Sequence, residues 1–294
     1  MKFLVTGSAG LLGRQLARDL SESCQVYSCY HRTRPDYGIP TPMDLSRPDQ
    51  IEATISKTRP DVIFHCAAIT DADACEREQD LASMINVKAT ETLARQAAKI
   101  KSFLVYISTD QVFDGKKGMK IESDTPGPVN HYGRTKLEGE KAVQEVSSKW
   151  CIARTSVIYG SHPERTNFLS QVASSLGSGK KYPALADQYL TPTYLPNLSR
   201  MLAEIGTRQI AGTIHLAGRT RVSRYDMARM LSEKLGLDRK LVTRAKMSDM
   251  KNWAAPRPRD SSLDTSKACK ILKEKPLAFE AGLGLYARQL RSGH

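Results

Sequence analysis

The stretch "VTGSAGLLGRQL" (residues 5–16) places Gly7, Gly10 and Gly13 at intervals of three. A short apolar run, "KFLVT" (2–6), leads into it. Leu12, Leu16 and Leu20 then recur at helical spacing. The order is strand, glycine turn, helix. In such a turn the first glycine permits a tight reversal, and the second lets backbone approach a diphosphate. The third lets the helix pack against the strand. The exposed amides and positive dipole of the helix start then favour phosphate. Three glycines alone are a weak signal, and the strand-turn-helix context gives them meaning. The loop Gly7, Gly10, Leu11, Leu12 and Gly13 is the expected dinucleotide cradle.

Outward from this loop the pattern repeats. Apolar runs at 24–30, 61–68, 102–109 and 149–160 read as strands. Helical patterns at 47–59, at 80–100 and around Tyr132 lie between them. Near-continuous apolar strands alternating with helices predict an α/β fold, a doubly wound parallel sheet of Rossmann type. Residues 1–155 are the expected dinucleotide-binding domain, with returns to the sheet near 185–218. Residues 156–294 are expected to build mainly a smaller substrate-binding lobe and C-terminal helices. "GTIHLAG" (212–218) reads as one more strand of the main sheet, and "SRYDMARMLSEKLG" (223–236) as a helix capped by Ser223.

A chain of 294 residues with 40% hydrophobic and 26% charged residues has the composition of a globular protein. No apolar run reaches membrane-spanning length, and the N-terminus lacks signal-peptide features, so a cytoplasmic protein with no membrane contact is expected. The net charge of +13 is spread along the chain rather than gathered in a stripe. That distribution reads first as a solvated basic surface; it equally accommodates phosphorylated small molecules, whereas a nucleic-acid binder calls for a clustered stripe. The six cysteines show no zinc-ligand spacing, and idle thiols are expected, with no metal.

The second strand ends at Tyr30-His31-Arg32, with no acidic residue to hold a ribose 2′-hydroxyl. His31 and Arg32 would instead meet a 2′-phosphate, which favours NADP(H) with NAD(H) as second choice. Asp44 and Leu45 follow the next strand region. Asp44 could accept a hydrogen bond from adenine or serve the cap region of the following helix.

Eleven tyrosines occur, and only Tyr132 has a lysine four residues on. Tyr132 and Lys136 therefore share one helical face. Hydride transfer to a carbonyl leaves charge on oxygen, which calls for a proton donor and a hydrogen-bond partner. Tyr132 is the candidate donor, with the Lys136 ammonium expected to lower its pKa. Thr109, or else Ser108, at the end of the strand 102–109, is the candidate partner for the carbonyl oxygen. Asp110 beside it is weighted toward structure.

The glycine loop, the strand-end hydroxyls and Tyr132-x-x-x-Lys136 together resemble the extended short-chain dehydrogenases/reductases. "FHCAAITDADACE" (64–76) resembles that family's loop after the third strand, which implies that Ala67 and Ala68 pass beside the cofactor. Asn86 matches a helix asparagine that supports the active site. "STDQVFDG" (108–115), "DQYLTPTY" (187–194), "GTIHLAG" and "PRPRDSSLDT" (256–265) resemble the dTDP-4-dehydrorhamnose reductases within it. The resemblance spans almost the whole chain. It implies NADPH-dependent reduction of a dTDP-linked 4-keto-6-deoxy sugar, a homodimer as an allowed assembly, and substrate contacts from Thr109, Asp110 and Val112. Arg257, with Arg259, is expected to close on the substrate diphosphate. Asn167 begins a helix suited to phosphate, Phe168 is placed to stack on a base, and Trp253 to cover the sugar. Gln111 and Ile69 stand where relatives carry aromatics, and Gln15 where metal-bridged relatives carry glutamate. The regulatory subunit of methionine adenosyltransferase resembles the same family, so a non-catalytic NADP-binding role is the alternative.

Overall fold

The strand carrying the glycine loop, β1 (Lys2–Thr6), pairs in parallel on both sides. The structure is a computed structural model that describes residues 1–146 and 149–292. After α1 (Leu11–Ser21) the chain forms β2 (Gln25–Tyr30) and the edge strand β3 (Ile39–Pro42) on one side of β1. It then crosses by α2 (Pro48–Thr58) to β4 (Val62–His65) on the other side. Helices α3 (Ala72–Arg77), α4 (Gln79–Ser83) and α5 (Ala89–Lys99) lead to β5 (Phe103–Thr109). Helix α6 (His131–Val146) leads to β6 (Trp150–Thr155). The strand order reverses between β1 and β4, and the carboxyl ends of strands at such a reversal are where open α/β sheets bind ligands.

The second half of the chain adds β7 (Ile158–Tyr159), α7 (Phe168–Gly177), β8 (Tyr182–Leu185), β9 (Tyr189–Leu190) and β10 (Thr193–Tyr194). Helix α8 (Leu195–Arg208) then returns to the sheet, and β11 (Gly212–His215) pairs in parallel with β6. Last come β12 (Val222–Ser223), α9 (Arg224–Leu235), β13 (Val242–Ala245), α10 (Ser266–Ile271) and α11 (Phe279–Arg291). The main sheet runs β11-β6-β5-β4-β1-β2-β3.

Alternation along the strands explains their apolar runs. Phe3, Val5, Phe64 and Val105 face one core with α1 and α8. Leu4, Ile63, Leu104 and Tyr106 face the other with α2, α5 and α6. A third core, around Tyr159, Leu176, Leu231 and Leu283, belongs to the elements after β6. No helix among the described residues is long and apolar enough to cross a membrane.

Three elements differ from the sequence reading. The helix expected over 80–100 is broken by a π-turn at Met84–Lys88, where the buried Asn86 side chain bonds outside the helix. The run 149–160 is two strands. Ser156, between them, turns its hydroxyl to Asp110 at 2.7 Å, and β7 pairs with β10 outside the main sheet. Strand β3 contains Pro40 and Pro42, which argue against a strand. It survives as an edge strand that, among the described residues, pairs only with β2, where a missing N–H costs no ladder bond.

The glycine loop is set by sterics. Gly7 has φ +64°, and a Cβ on Gly13 would overlap the Gly7 carbonyl. Gly13→Ala is expected to push α1 off the end of β1 and to cost about 1–3 kcal/mol, read from the urea midpoint.

Candidate active site

A cavity of about 1150 Å³ opens at the carboxyl ends of β1, β2, β4 and β5 and extends to the elements after β6. Gly7, Gly10, Leu11, Leu12 and Gly13 line one end, with His31 and Arg32 beside them and Ala67 and Ala68 opposite. The cap of α1, Gly10, carries no side chain to bond the first-turn amides, and that turn has no acidic residue. Such a helix start is open to phosphate, and the exposed Arg32 adds positive charge at the rim. These residues fit a phosphorylated dinucleotide.

Asp44 and Leu45 are not among the lining residues. The Asp44 carboxylate accepts from the Ser46 amide at 2.9 Å and its hydroxyl at 2.8 Å, which closes a turn ahead of α2. Those bonds, the backbone one first, hold its pKa below the usual range. Leu45 packs against the core under β2. The contact of His31 Nε2 with Asp44 Oδ2, 3.5 Å, joins the two segments at the rim.

In the middle of the cavity Thr109, Tyr132 and Lys136 converge. Helix α6 reaches them because it lies hard against β5. A Cβ on Gly139 would overlap the Tyr106 hydroxyl, so only glycine permits the approach. Tyr132 is buried, which raises its pKa above the phenol's usual value, while a hydrogen bond with Thr109 pulls the other way. The sequence reading had Lys136 drawing this phenol down. The Lys136 Nζ sits 4.0 Å above the Tyr106 ring centre, and Lys136 is not among the groups that set the Tyr132 pKa in this structure. Burial also lowers the Lys136 pKa to about 7, against the pull of Glu140.

The surrounding bonds are directional. Thr90 gives its proton to the Asn86 carbonyl at 2.8 Å, so His65 Nε2 donates to Thr90 Oγ1 at 3.0 Å. Thr6 accepts from the Ala67 amide and donates to His65 Nδ1 at 2.8 Å. His65 is thus a neutral strut, its pKa pushed down to about 3 by burial and then by Lys136. Asn86 holds both backbone groups of Ile69 and donates to Thr135, binding the loop after β4 to α6. Ser108 donates to Glu140 at 2.5 Å, which leaves Thr109 as the hydroxyl beside Tyr132.

Asp110 accepts hydroxyls from Thr109, Ser156 and Ser261 at 3.1, 2.7 and 2.6 Å. It lines the wall, yet its bonds are structural: they join β5, β6 and the 256–265 segment. Val112, expected at the substrate, is fully buried in a core patch with Phe113 and Leu263 and is not a lining residue. Gln111 accepts from Asn130 at 2.8 Å, and Asn130 also donates to the Pro256 carbonyl. The residue that replaces an aromatic here therefore anchors the start of α6.

At the far end lie Asn167, Phe168, Trp253 and Arg257. Asn167 caps α7, accepting from the Leu169 and Ser170 amides and donating to the Gly160 carbonyl at 2.7 Å. Phe168 meets Tyr182 edge to face at 5.9 Å. Arg257 pairs with Asp73 at 2.9 Å and lies 5.0 Å from the Trp253 ring centre. Asp73 also accepts the Ala254 and Ala255 amides, tying this loop to α3. Arg259 is outside the lining.

Sequence reasoning missed Arg224 and Asp73. The Arg224 guanidinium stands 4.9 Å over Phe168, bonds Gln188 through Nε at 2.8 Å and lines the cavity. In "SRYD" it reads only as the first residue of a capped helix. Asp73 sits in a short helix far from its partners in sequence.

Sheet order, glycine loop and the Tyr132–Lys136 helix define a Rossmann-like α/β protein of the extended short-chain dehydrogenase/reductase type. A family model described as the RmlD substrate binding domain matches residues 1–292, and the chain belongs to that family. The chain is 34% identical over 272 residues to "Probable low-salt glycan biosynthesis reductase Agl14" of Haloferax volcanii, covering 90% of each chain. It is 32% identical to methionine adenosyltransferase 2 subunit beta of Xenopus tropicalis, over 95% of this chain and 85% of that one. The crystal structure of dTDP-4-dehydrorhamnose reductase from Bacillus anthracis in complex with NADP superposes with a TM-score of 0.89. Identity there is 28%, over 98% of this chain and 99% of that one.

Asp110→Ala would strand three hydroxyls and unlink three segments. A loss of about 2–4 kcal/mol is expected in urea unfolding.

Proposed function

We propose that this chain is an NADP(H)-dependent reductase of a nucleotide-linked 4-keto-6-deoxy sugar, with dTDP-4-dehydro-L-rhamnose as substrate and dTDP-L-rhamnose as product. The observation that carries the reading is the convergence of Thr109, Tyr132 and Lys136 in one cavity, between a glycine cradle and a basic far end. The cytoplasm is the compartment proposed with this reading.

Gly7, Gly10, Leu11, Leu12 and Gly13 hold the dinucleotide diphosphate with the α1 amides, and His31 and Arg32 meet the 2′-phosphate. Ala67 and Ala68 form the opposite wall. The bound dihydronicotinamide supplies the hydride. Thr109 and Tyr132 hold the keto oxygen of the sugar. As negative charge grows there, Tyr132 gives up its phenolic proton. Burial keeps that phenol protonated, and an alkoxide is a far stronger base than a phenolate, so the transfer runs downhill. Lys136 lends positive charge to the phenolate left behind. Arg224 and Arg257 face the substrate diphosphate, Phe168 stacks on its base, and Trp253 covers the sugar. NAD(H) binds the same cradle more weakly, lacking a group for Arg32.

The likeness to methionine adenosyltransferase 2 subunit beta favours a second reading, a non-catalytic NADP-binding subunit. Mixing the protein with NADPH and dTDP-4-dehydro-L-rhamnose and following absorbance at the nicotinamide band separates the two. Oxidation is expected, and tight NADPH binding without oxidation would favour the second reading.

Tyr132→Phe is expected to lower kcat by about 10²–10⁴-fold with NADPH affinity little changed. Turnover should fall as pH rises through about 7, where Lys136 loses its proton. Arg32→Ala should cost about tenfold in NADPH affinity and leave NADH affinity unchanged, as read by fluorescence titration.

A further inference from the structure

Glu140 lies four residues beyond Lys136 and eight beyond Tyr132, so the three form one stripe on α6. Their exposures are 2%, 2% and 7%, so the stripe is buried throughout. Arg154 of β6 grips the Glu140 carboxylate with two prongs, Nε at 2.9 Å and a terminal nitrogen at 2.6 Å. Ser108 of β5 adds a third bond at 2.5 Å. The other terminal nitrogen of Arg154 is buried without a hydrogen-bond partner among the described residues, and the guanidinium lies 5.2 Å from the Phe113 ring centre.

Burying such a pair costs desolvation that the attraction barely recovers, so stability alone is a weak reason for its presence. Its position beneath Lys136 offers a better one. The groups facing Lys136 come from several elements. They are His65 of β4, Cys66 just after it, Cys75 of α3, Tyr106 of β5, and Tyr132 and Glu140 of its own helix. Burial keeps His65 unprotonated and pushes Cys66 and Cys75 up to about 12 and about 11. It raises both tyrosines as well. Glu140, in its grip with Arg154, is the anion of the set.

We propose that Glu140 is a positioning residue: clamped by Arg154 and Ser108, its carboxylate keeps Lys136 an ammonium beside the reacting tyrosine. The role in turnover rests on the reductase reading, while the coupling to Lys136 does not. Ser108 and Arg154 then act on the reaction only through Glu140.

The test labels lysine Nζ with ¹⁵N and follows the Lys136 signal from pH 5 to pH 10, assigned by its loss in Lys136→Met. Glu140→Gln is expected to lower the Lys136 midpoint by about one pH unit or more. The double variant Glu140→Gln/Arg154→Met removes both charges together and should show a smaller downward shift than Glu140→Gln, because loss of the Arg154 cation partly offsets it. An unchanged midpoint in folded Glu140→Gln overturns the proposal. With dTDP-4-dehydro-L-rhamnose and NADPH, the alkaline limb of kcat should move down with the midpoint, and a purely structural Glu140 would leave that limb in place. The titration reads out with or without turnover. A wild-type protein that oxidises no NADPH would therefore remove the reductase reading while the shift still decides the coupling.

Discussion

The close seating of α6 on β5 is the constraint on which the rest depends. Gly139 leaves room for the Tyr106 hydroxyl, and that ring in turn supports the Lys136 ammonium. A helix one methyl farther out would carry Tyr132 away from Thr109. The same approach brings Asn86 to Thr135 and, through Ile69, fixes the wall opposite the glycine loop. One steric allowance thus aligns three segments that are distant in sequence.

Charge is distributed unequally along the cavity. Arg32 marks the end by the glycine loop, and Arg224 and Arg257 mark the other. Arg257 is neutralised by Asp73, whereas Arg224 bonds the neutral Gln188 and faces the aromatic ring of Phe168. Burial lowers the Arg224 pKa, with Asp110 and Tyr182 opposing and Arg257 adding a smaller push. The middle holds the Lys136 stripe and the Asp110 carboxylate, which three hydroxyls satisfy.

The parts of the fold that were legible in the sequence are those whose physics is local. Alternation along β1, β4 and β5 follows from side chains facing two cores, and the glycine loop from backbone sterics. The Ser223 cap of α9 was equally local. What escaped was set by distant partners. The π-turn around Asn86 exists because its side chain bonds Ile69 rather than its own helix. Strand β3 is a strand because β2 lies beside it and, among the described residues, no further strand pairs with it. Arg224 carries no local signal, and Asp73 is defined by amides some 180 residues away. Helical spacing tells that Tyr132 and Lys136 are neighbours, but not how little water reaches Tyr132, whose burial raises its pKa.

Burial has one more effect at this centre. A thiol beside an ammonium ordinarily ionises readily and becomes the soft spot of a protein, open to peroxide and alkylating agents. Cys66 and Cys75 both feel Lys136, yet desolvation dominates and holds them as thiols far above neutral pH. The arrangement that keeps the lysine poised therefore also makes the chamber chemically quiet. Neither sulfur is thus a ready nucleophile, although Cys66 lines the cavity beside the reacting groups.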